Sequence, residues 1–192
     1  MHLTQLLQNI SRHIILTDKE ITYLQSQFTI RQFAKREYLI QQGQRCRSIY
    51  FVNRGVVRSF YRTEAGKETT IMFAFADWWI TDMRCFIEQR AADTSLQCLE
   101  ATEVVEISKQ TFDRLFVEIP KFERVFRILM QNAYIREQTR ALEQRSFPAE
   151  ERYKRLIQKY PEIEQLVAQK HLASYLGVTP EFYSQMRKKV LS

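Results

Sequence analysis

The side chains best suited to contact a nucleic acid lie near the C-terminal end of the chain. The amide of Gln185 can bond adenine, and the carboxylate of Glu181 can accept from the cytosine amino group. Basic side chains follow them and can bind phosphate oxygens. The predicted contact residues are Thr179, Pro180, Glu181, Ser184, Gln185, Arg187, Lys188 and Lys189. This set predicts that a helix over residues 179–190 contacts double-stranded DNA.

Residues 169–188 have the spacing of a helix-turn-helix, which is two short helices joined by a tight turn. Ala173 is small enough for a close crossing, and Gly177 can adopt a left-handed turn conformation. Thr179 can cap the second helix, and Pro180 suits its first turn. The expected inner face consists of Leu172, Leu176, Val178, Tyr183 and Met186. Tyr183 is unusual there because a buried hydroxyl needs a partner. A plain helical hairpin that ends a domain is the alternative interpretation.

The positive charge is concentrated in the same part of the chain. Residues 1–120 hold 15 Lys and Arg against 14 Asp and Glu, whereas residues 121–192 hold 14 against 8, a net charge of +6. A localised positive field attracts phosphate backbones through counterion release. The alternative is a basic surface without a nucleic-acid partner.

Residues for catalysis or metal binding are sparse. The cysteines Cys46, Cys85 and Cys98 are scattered, which argues against a disulfide framework or a cysteine-ligated metal and suits a reducing cytoplasm. No histidine lies between His13 and His171, so the intervening segment has no imidazole for a cupin-type metal site or a catalytic base. We therefore expect no metal, no catalytic residues and no enzymatic activity. No apolar run approaches the length of a membrane helix, so we expect no membrane partner.

The first part of the chain has the pattern of a β-structure, and the last third that of helices. Short runs rich in β-branched and aromatic residues occupy about 28–33, 37–40, 48–53, 56–62, 69–75, 94–99 and 103–107. Runs at this spacing predict an antiparallel barrel or sandwich. All four prolines lie from Pro120 onward, each before a helix-like stretch. Thr17 and Glu20 form a capping-box pattern that predicts a helix ahead of the barrel.

Residues 121–145 form the longest predicted helix, of about 37 Å. Its apolar stripe contains Phe122, Val125, Phe126, Leu129, Met130 and Ala133. Because the helix is longer than a small barrel needs, part of this stripe is predicted to pair with a second copy of the chain. Packing of the whole helix on its own domain is the alternative.

Several stretches together resemble the Crp/Fnr family of transcription regulators. They are residues 49–58 (IYFVNRGVVR), 119–122 (IPKF) and 172–181 (LASYLGVTPE), and they are similar to the variety common in Bacteroidetes-type bacteria. The resemblance implies an α+β fold with three parts. An N-terminal antiparallel β-roll of the cyclic-nucleotide-binding type, a double-stranded β-helix, spans residues 1–119. A long dimerisation helix spans residues 120–146, and an all-α helix-turn-helix domain spans residues 147–192.

Two departures from the family pattern bear on function. In the second helix the family usually carries Arg, Glu and a later Arg, whereas this chain has Pro180, Glu181 and Gln185. The usual target sequence is therefore not assumed. In the phosphate-binding segment the family has a Gly-Glu pair and later an Arg. This chain has Ile80, Thr81 and Ala92 there, with Asp93 next, and a register shifted by one or two residues would instead place Asp82 or Arg90 in the site.

These departures predict that the chain does not bind cyclic AMP or cyclic GMP in the family's usual manner, and we expect no cofactor. A different ligand would be expected near Trp78, Trp79, Thr81, Asp82 and Arg84. The alternative is that both tryptophans are core or interface aromatics.

The leading interpretation is a dimeric, cytoplasmic transcription regulator. Its two recognition helices would enter successive major grooves of DNA, and RNA polymerase is the further partner to consider. The alternative is a ligand-binding or protein-binding β-roll whose C-terminal helices serve only assembly.

Overall fold

The computed structural model describes residues 3–191. Its helices are α1 (Thr4–Ser11), α2 (Asp18–Gln27), α3 (Met83–Glu88), α4 (Lys109–Glu118), α5 (Phe122–Ser146), α6 (Ala149–Lys159), α7 (Ile163–Leu166), α8 (Gln169–Leu176) and α9 (Pro180–Leu191). Its strands are β1 (Thr29–Phe33), β2 (Tyr38–Ile40), β3 (Ser48–Arg54), β4 (Val57–Arg62), β5 (Glu68–Ala74), β6 (Trp78–Ile80), β7 (Ser95–Cys98) and β8 (Thr102–Ser108). The α+β class and the antiparallel β-roll are confirmed.

Contacts divide the described residues into two compact units. Residues 3–59 and 73–131 form the first unit, and residues 60–72 and 132–191 form the second. The predicted domain boundaries after residues 119 and 146 stay predictions. Within the described part of the chain, no helix is both long enough and apolar enough to cross a membrane.

The strands form two four-stranded sheets within the described residues, in the orders β1-β8-β3-β6 and β2-β7-β4-β5. In the first sheet, β3 pairs antiparallel with β8, so that Ile49 lies opposite Ile107 and Phe51 opposite Val105. All four of these side chains are buried. The strands predicted from the sequence are present, and β6 is an additional strand at the two tryptophans.

The turn between β3 and β4 depends on a glycine. Gly55 has a φ of +101°, and a Cβ added there would lie 2.8 Å from the Cα of Thr102. Moving the backbone away from so close a contact would cost too much free energy, so no residue larger than glycine fits at position 55. This explains the glycine within the stretch 49–58 on which the family resemblance rests.

Two helices bear directly on the sequence-based expectations. The capping box of α2 is confirmed, because Thr17 Oγ1 accepts from the Glu20 amide while the Glu20 carboxylate accepts from the Thr17 amide. In α5, Phe122 and Val125 are buried in the first unit, and the Phe126 ring lies 5.0 Å from the ring of Phe112. The first turns of the long helix therefore belong to the core of the first unit.

Candidate nucleic-acid interface and effector segment

The turn between α8 and α9 has the predicted geometry. Gly177 has a φ of +70°, and the amide of Val178 donates to the Ala173 carbonyl at 3.0 Å. This bond closes the end of α8. Thr179 Oγ1 then accepts from the Phe182 amide at 3.2 Å and caps α9. The predicted turn and cap are confirmed.

The inner face of the motif is apolar as expected. Leu172, Leu176 and Met186 are buried, and Ala173 is fully buried on the same side of α8. Val178 is only half-buried. These contacts fix α8 and α9 to one another through the hydrophobic effect and close packing.

The buried Tyr183 hydroxyl has a carboxylate partner that the sequence did not reveal. Tyr183 donates to Glu164 Oε1 at 2.7 Å, and the hydroxyl of Tyr153 donates to the same oxygen at 3.1 Å. The two tyrosine rings meet edge to face with centroids 5.5 Å apart. Arg187 Nε lies 3.2 Å from this oxygen. We call Tyr153, Glu164, Tyr183 and Arg187 the Glu164 cluster.

Burial and the negative charge of Glu164 both act against ionisation of these tyrosines. Burial is the larger cause, and together they raise the pKa of Tyr153 to about 12. The same two causes raise the pKa of Tyr183 still further above its ordinary value. Both hydroxyls therefore stay protonated at neutral pH and donate to the carboxylate, which gives the stronger, charge-assisted kind of hydrogen bond.

The outer side of α9 is open to solvent. Exposed positions are Thr179, Pro180, Glu181, Gln185, Lys188 and Lys189, and Ser184 is half-buried. Phe182 is 45% exposed on this helix and was not among the predicted contacts. Its ring is of a type that can contact a thymine methyl group.

The three basic residues that follow are not equivalent. Arg187 is half-buried and turned toward Glu164. Lys189 donates to Glu150 at 2.8 Å. Lys188 is exposed. A phosphate would meet Lys188 before it displaced either ion pair.

In the first unit, the buried side chain of Asp82 organises the segment that follows β6. Its Oδ1 accepts from the Cys85 amide at 3.1 Å at the start of α3. Its Oδ2 accepts from the amides of Asp93 and Thr94, each at 2.9 Å, and from Thr94 Oγ1 at 3.0 Å. One carboxylate thus satisfies four donors from a helix start and a loop.

The neighbouring side chains are also committed to contacts within the subunit. Trp79 Nε1 donates to Asn9 at 3.0 Å, and its ring packs edge to face on Phe51. Thr81 donates its hydroxyl to the Ser48 carbonyl at 3.0 Å. The Trp78 ring is half-buried against Phe75. This arrangement favours the alternative that both tryptophans are core or interface aromatics.

Asp93 does not present an unbalanced negative charge. Its carboxylate accepts from Arg90 at 2.7 Å and lies 3.7 Å from a guanidinium nitrogen of Arg84. Arg84 is exposed and also pairs with Glu88. The predicted effector residues thus lie in one segment, with Asp82 at its centre.

Comparison with known proteins finds a family match for part of the chain. The model described as "Cyclic nucleotide-binding domain" matches residues 30–118. The "cAMP-activated global transcriptional regulator CRP" of Salmonella typhimurium is 26% identical over 99 residues, which are 52% of this chain and 47% of that protein. The same protein from Klebsiella aerogenes matches equally. These matches support the resemblance of the chain to the Crp/Fnr family. The chain spans about half the length of the curated relatives that it matches.

Solved structures extend the likeness to most of the chain. The c-di-GMP responsive global regulator CLP of Xanthomonas campestris has a TM-score of 0.73 at 17% identity, with 89% of this chain and 90% of that chain covered. A CooA mutant from Carboxydothermus hydrogenoformans has a TM-score of 0.74 at 17% identity, with 98% and 84% covered. At this identity these likenesses show the fold alone. The likeness to the Bacteroidetes-type variety stays a prediction.

The Glu164 cluster gives a pH dependence that can be measured. Because the folded pKa of Tyr183 is raised, its contribution to stability is fully present below pH 10, the ordinary tyrosine pKa, and is lost as the pH rises above it. Tyr183→Phe should lower the free energy of unfolding by about 2 kcal/mol at pH 7. Above pH 10 the free energy of unfolding of Tyr183→Phe should fall less steeply with pH than that of the wild type. The two slopes should differ by about 1.4 kcal/mol per pH unit.

Urea unfolding followed by circular dichroism at a series of pH values measures both effects. Tyr61→Phe, at a tyrosine that is 43% exposed, is the matched control and should change neither quantity. Equal alkaline slopes in Tyr183→Phe and the wild type would contradict the role given to the cluster.

Proposed function

We propose that this protein is a homodimeric, cytoplasmic DNA-binding regulator of the Crp/Fnr type that reads DNA with α9. The observation that carries the proposal is that α9 buries Tyr183 and Met186 while Glu181, Gln185 and Lys188 stay exposed. A helix presented in this way has the polar face that major-groove readout requires. The basic excess of residues 121–192 supports it, because phosphate neutralisation supplies much of the affinity for DNA.

We infer that the dimer forms through the second half of α5. Tyr134, Ile135 and Leu142 are exposed by 65%, 59% and 60%, whereas Phe122 and Val125 are buried in their own subunit. Ile135 and Leu142 are seven residues apart, which is the spacing of a coiled-coil seam. Phe126, Leu129, Met130 and Ala133 are half-buried and would border such a contact.

The double variant Ile135→Glu/Leu142→Glu should be a monomer in sedimentation velocity, because carboxylates in the seam would lose their hydration without gaining partners. Gln144→Glu introduces the same charge about 180° away from Ile135 around the helix and should leave the dimer intact. A double variant that still sediments as a dimer, or a wild-type monomer, would count against this interface.

DNA reading can be tested by selecting binding sites from a random duplex pool and then measuring affinity by fluorescence anisotropy at several salt concentrations. Lys188→Gln should weaken binding to all sequences alike and reduce the salt slope by about 1, because one phosphate contact is lost. Gln185→Ala should reduce discrimination between bases at one position by about 1–3 kcal/mol.

Lys19→Gln is the matched control, since it removes an equal charge from exposed α2 in the other unit. If Lys19→Gln and Lys188→Gln reduced the salt slope equally, α9 would not be the DNA-contacting helix. If the pool yielded no enriched sequence, the assignment as a sequence-reading regulator would fail.

We further propose that the first unit does not bind cyclic AMP in the usual manner of its relatives. The support comes from Asp82, whose carboxylate already accepts from the amides of Cys85, Asp93 and Thr94. Backbone amides at a helix start are the groups that would hold a phosphate. A second anion at this position would face Asp82 directly and would find these donors engaged.

Calorimetric titration of the wild type with cyclic AMP and cyclic GMP should give no saturable heat. Asp82→Ala should lower the free energy of unfolding by about 2 kcal/mol or more, because four donors lose a charged acceptor. Asp93→Ala removes the same charge from a partly exposed ion pair and should cost less than about 1 kcal/mol. Micromolar cyclic AMP binding by the wild type would overturn the proposal.

A further inference from the structure

The second unit contains a cleft formed by the last turns of α5 together with α6 and α8. Its volume is 80 Å³, several times the 10–15 Å³ or so that one water needs. Every residue that lines it lies between positions 136 and 176, and α9 contributes none. The cleft is therefore distinct from the DNA-reading side of α9 and from the Asp82 segment.

Cations dominate the lining of the cleft. Arg136, Arg140, Arg152, Arg155 and Lys159 face it, and Glu143 is the acidic residue among the lining groups. The Arg155 guanidinium lies 2.9 Å from Glu151 and 3.8 Å from Glu143, and Arg140 lies 3.9 Å from Glu137, so part of the positive charge is offset. Positive side chains that line a cleft and are partly removed from water repel one another. A bound anion would reduce this electrostatic repulsion.

Two of the guanidinium groups have hydrogen-bonding capacity that the surrounding protein does not use. Nε of Arg152 and Nε of Arg140 are both buried and donate to no acceptor among the described residues. Arg140 is held in place, because it donates to the Ile71 carbonyl and lies 4.5 Å from the centroid of the Tyr175 ring. A fixed guanidinium with an unused buried donor is suited to a charged oxygen acceptor.

Aromatic residues close the cleft beside these cations. Tyr160 and Tyr175 line it and are half-buried, and the ammonium of Lys159 lies 5.4 Å from the Tyr160 ring centroid. Burial raises the pKa of both tyrosines, so their hydroxyls remain protonated and carry no negative charge that would repel an anion. The combination of guanidinium and ammonium donors matches the tetrahedral oxygens of a phosphate.

We propose that this cleft binds a compact phosphate group, carried by a small phosphorylated metabolite or present as inorganic phosphate. Its size fits one such group, and its charge selects a dianion over a neutral molecule. Arg152 and Arg140 would bond the oxygens from the floor of the cleft, and Lys159 would add a charge at its mouth. This inference is independent of whether the protein reads DNA.

The test is calorimetric titration of the full-length protein with three probes at constant ionic strength: sodium phosphate, glycerol 3-phosphate and sodium acetate. Saturable binding of phosphate or glycerol 3-phosphate, at about millimolar affinity or tighter, is expected, and acetate should give no saturation. Tighter binding of glycerol 3-phosphate would identify a phosphate ester as the ligand, and tighter binding of phosphate would identify the free ion.

Variants on α6 provide the control. Arg152→Gln should weaken the affinity about tenfold, because a buried charged donor is lost. Lys159 is exposed, so Lys159→Gln should disturb the fold less than Arg152→Gln. It should weaken the affinity for phosphate about threefold. Lys154→Gln removes an equal charge from exposed α6 outside the cleft and should stay within about twofold of the wild type.

Three results would overturn the proposal. The first is absence of saturation by either phosphate probe. The second is an equal loss of phosphate affinity in Lys154→Gln and Lys159→Gln, which would mean that phosphate is attracted by the overall positive charge and not bound in the cleft. The third is loss of duplex DNA affinity in Arg152→Gln together with unchanged phosphate affinity, which would make the cleft a contact for the DNA backbone.

Discussion

A single carboxylate sets the orientation of the helix that carries the proposed function. Glu164, on α7, accepts hydrogen bonds from Tyr153 on α6 and from Tyr183 on α9, and it lies beside Arg187 one turn farther along α9. Residues four apart share one side of a helix. Because Tyr183 and Arg187 are both held by Glu164, the opposite side of α9, with Glu181, Gln185 and Lys188, is turned outward.

The same physical rule governs the segment after β6. Buried polar groups need partners, and a carboxylate can satisfy several donors at once. Glu164 gathers side-chain donors, whereas Asp82 gathers backbone amides from a helix start and a loop. In both places an acidic residue fixes the local geometry of its unit, and in both places the surrounding donors would be left unsatisfied if the acid were replaced by an apolar side chain.

Much of the fold could be predicted because its signals are local. Gly177 and Thr179 specify a turn and a cap through their own conformational and hydrogen-bonding properties, and the capping box of α2 needs only Thr17 and Glu20. Strand β6 has only the three residues Trp78–Ile80, which are too few to show the alternation of apolar and polar side chains by which a strand is recognised. The apolar stripe of α5 was recognised, but periodicity cannot tell which of its turns the subunit buries for itself.

The polar contacts of the candidate sites could not be predicted in the same way. Tyr183 was expected to need a partner, yet Glu164 lies 19 residues away and is brought to it only by the path of α7 and α8. Asp82 meets the amides of Asp93 and Thr94 across 11 and 12 residues of chain. Such pairs depend on how helices, strands and loops pack against one another. Neither the composition nor the residue spacing of the sequence shows this packing.

The Asp82 carboxylate also bears on what the first unit is able to sense. A diffusible messenger reports its own concentration because its occupancy rises and falls with supply. An anion that belongs to the polypeptide is present at constant occupancy in every folded molecule. If the first unit binds no cyclic nucleotide, as proposed above, Asp82 would supply this charge in every folded molecule, and a signal that acts on the unit would have to arrive by another route.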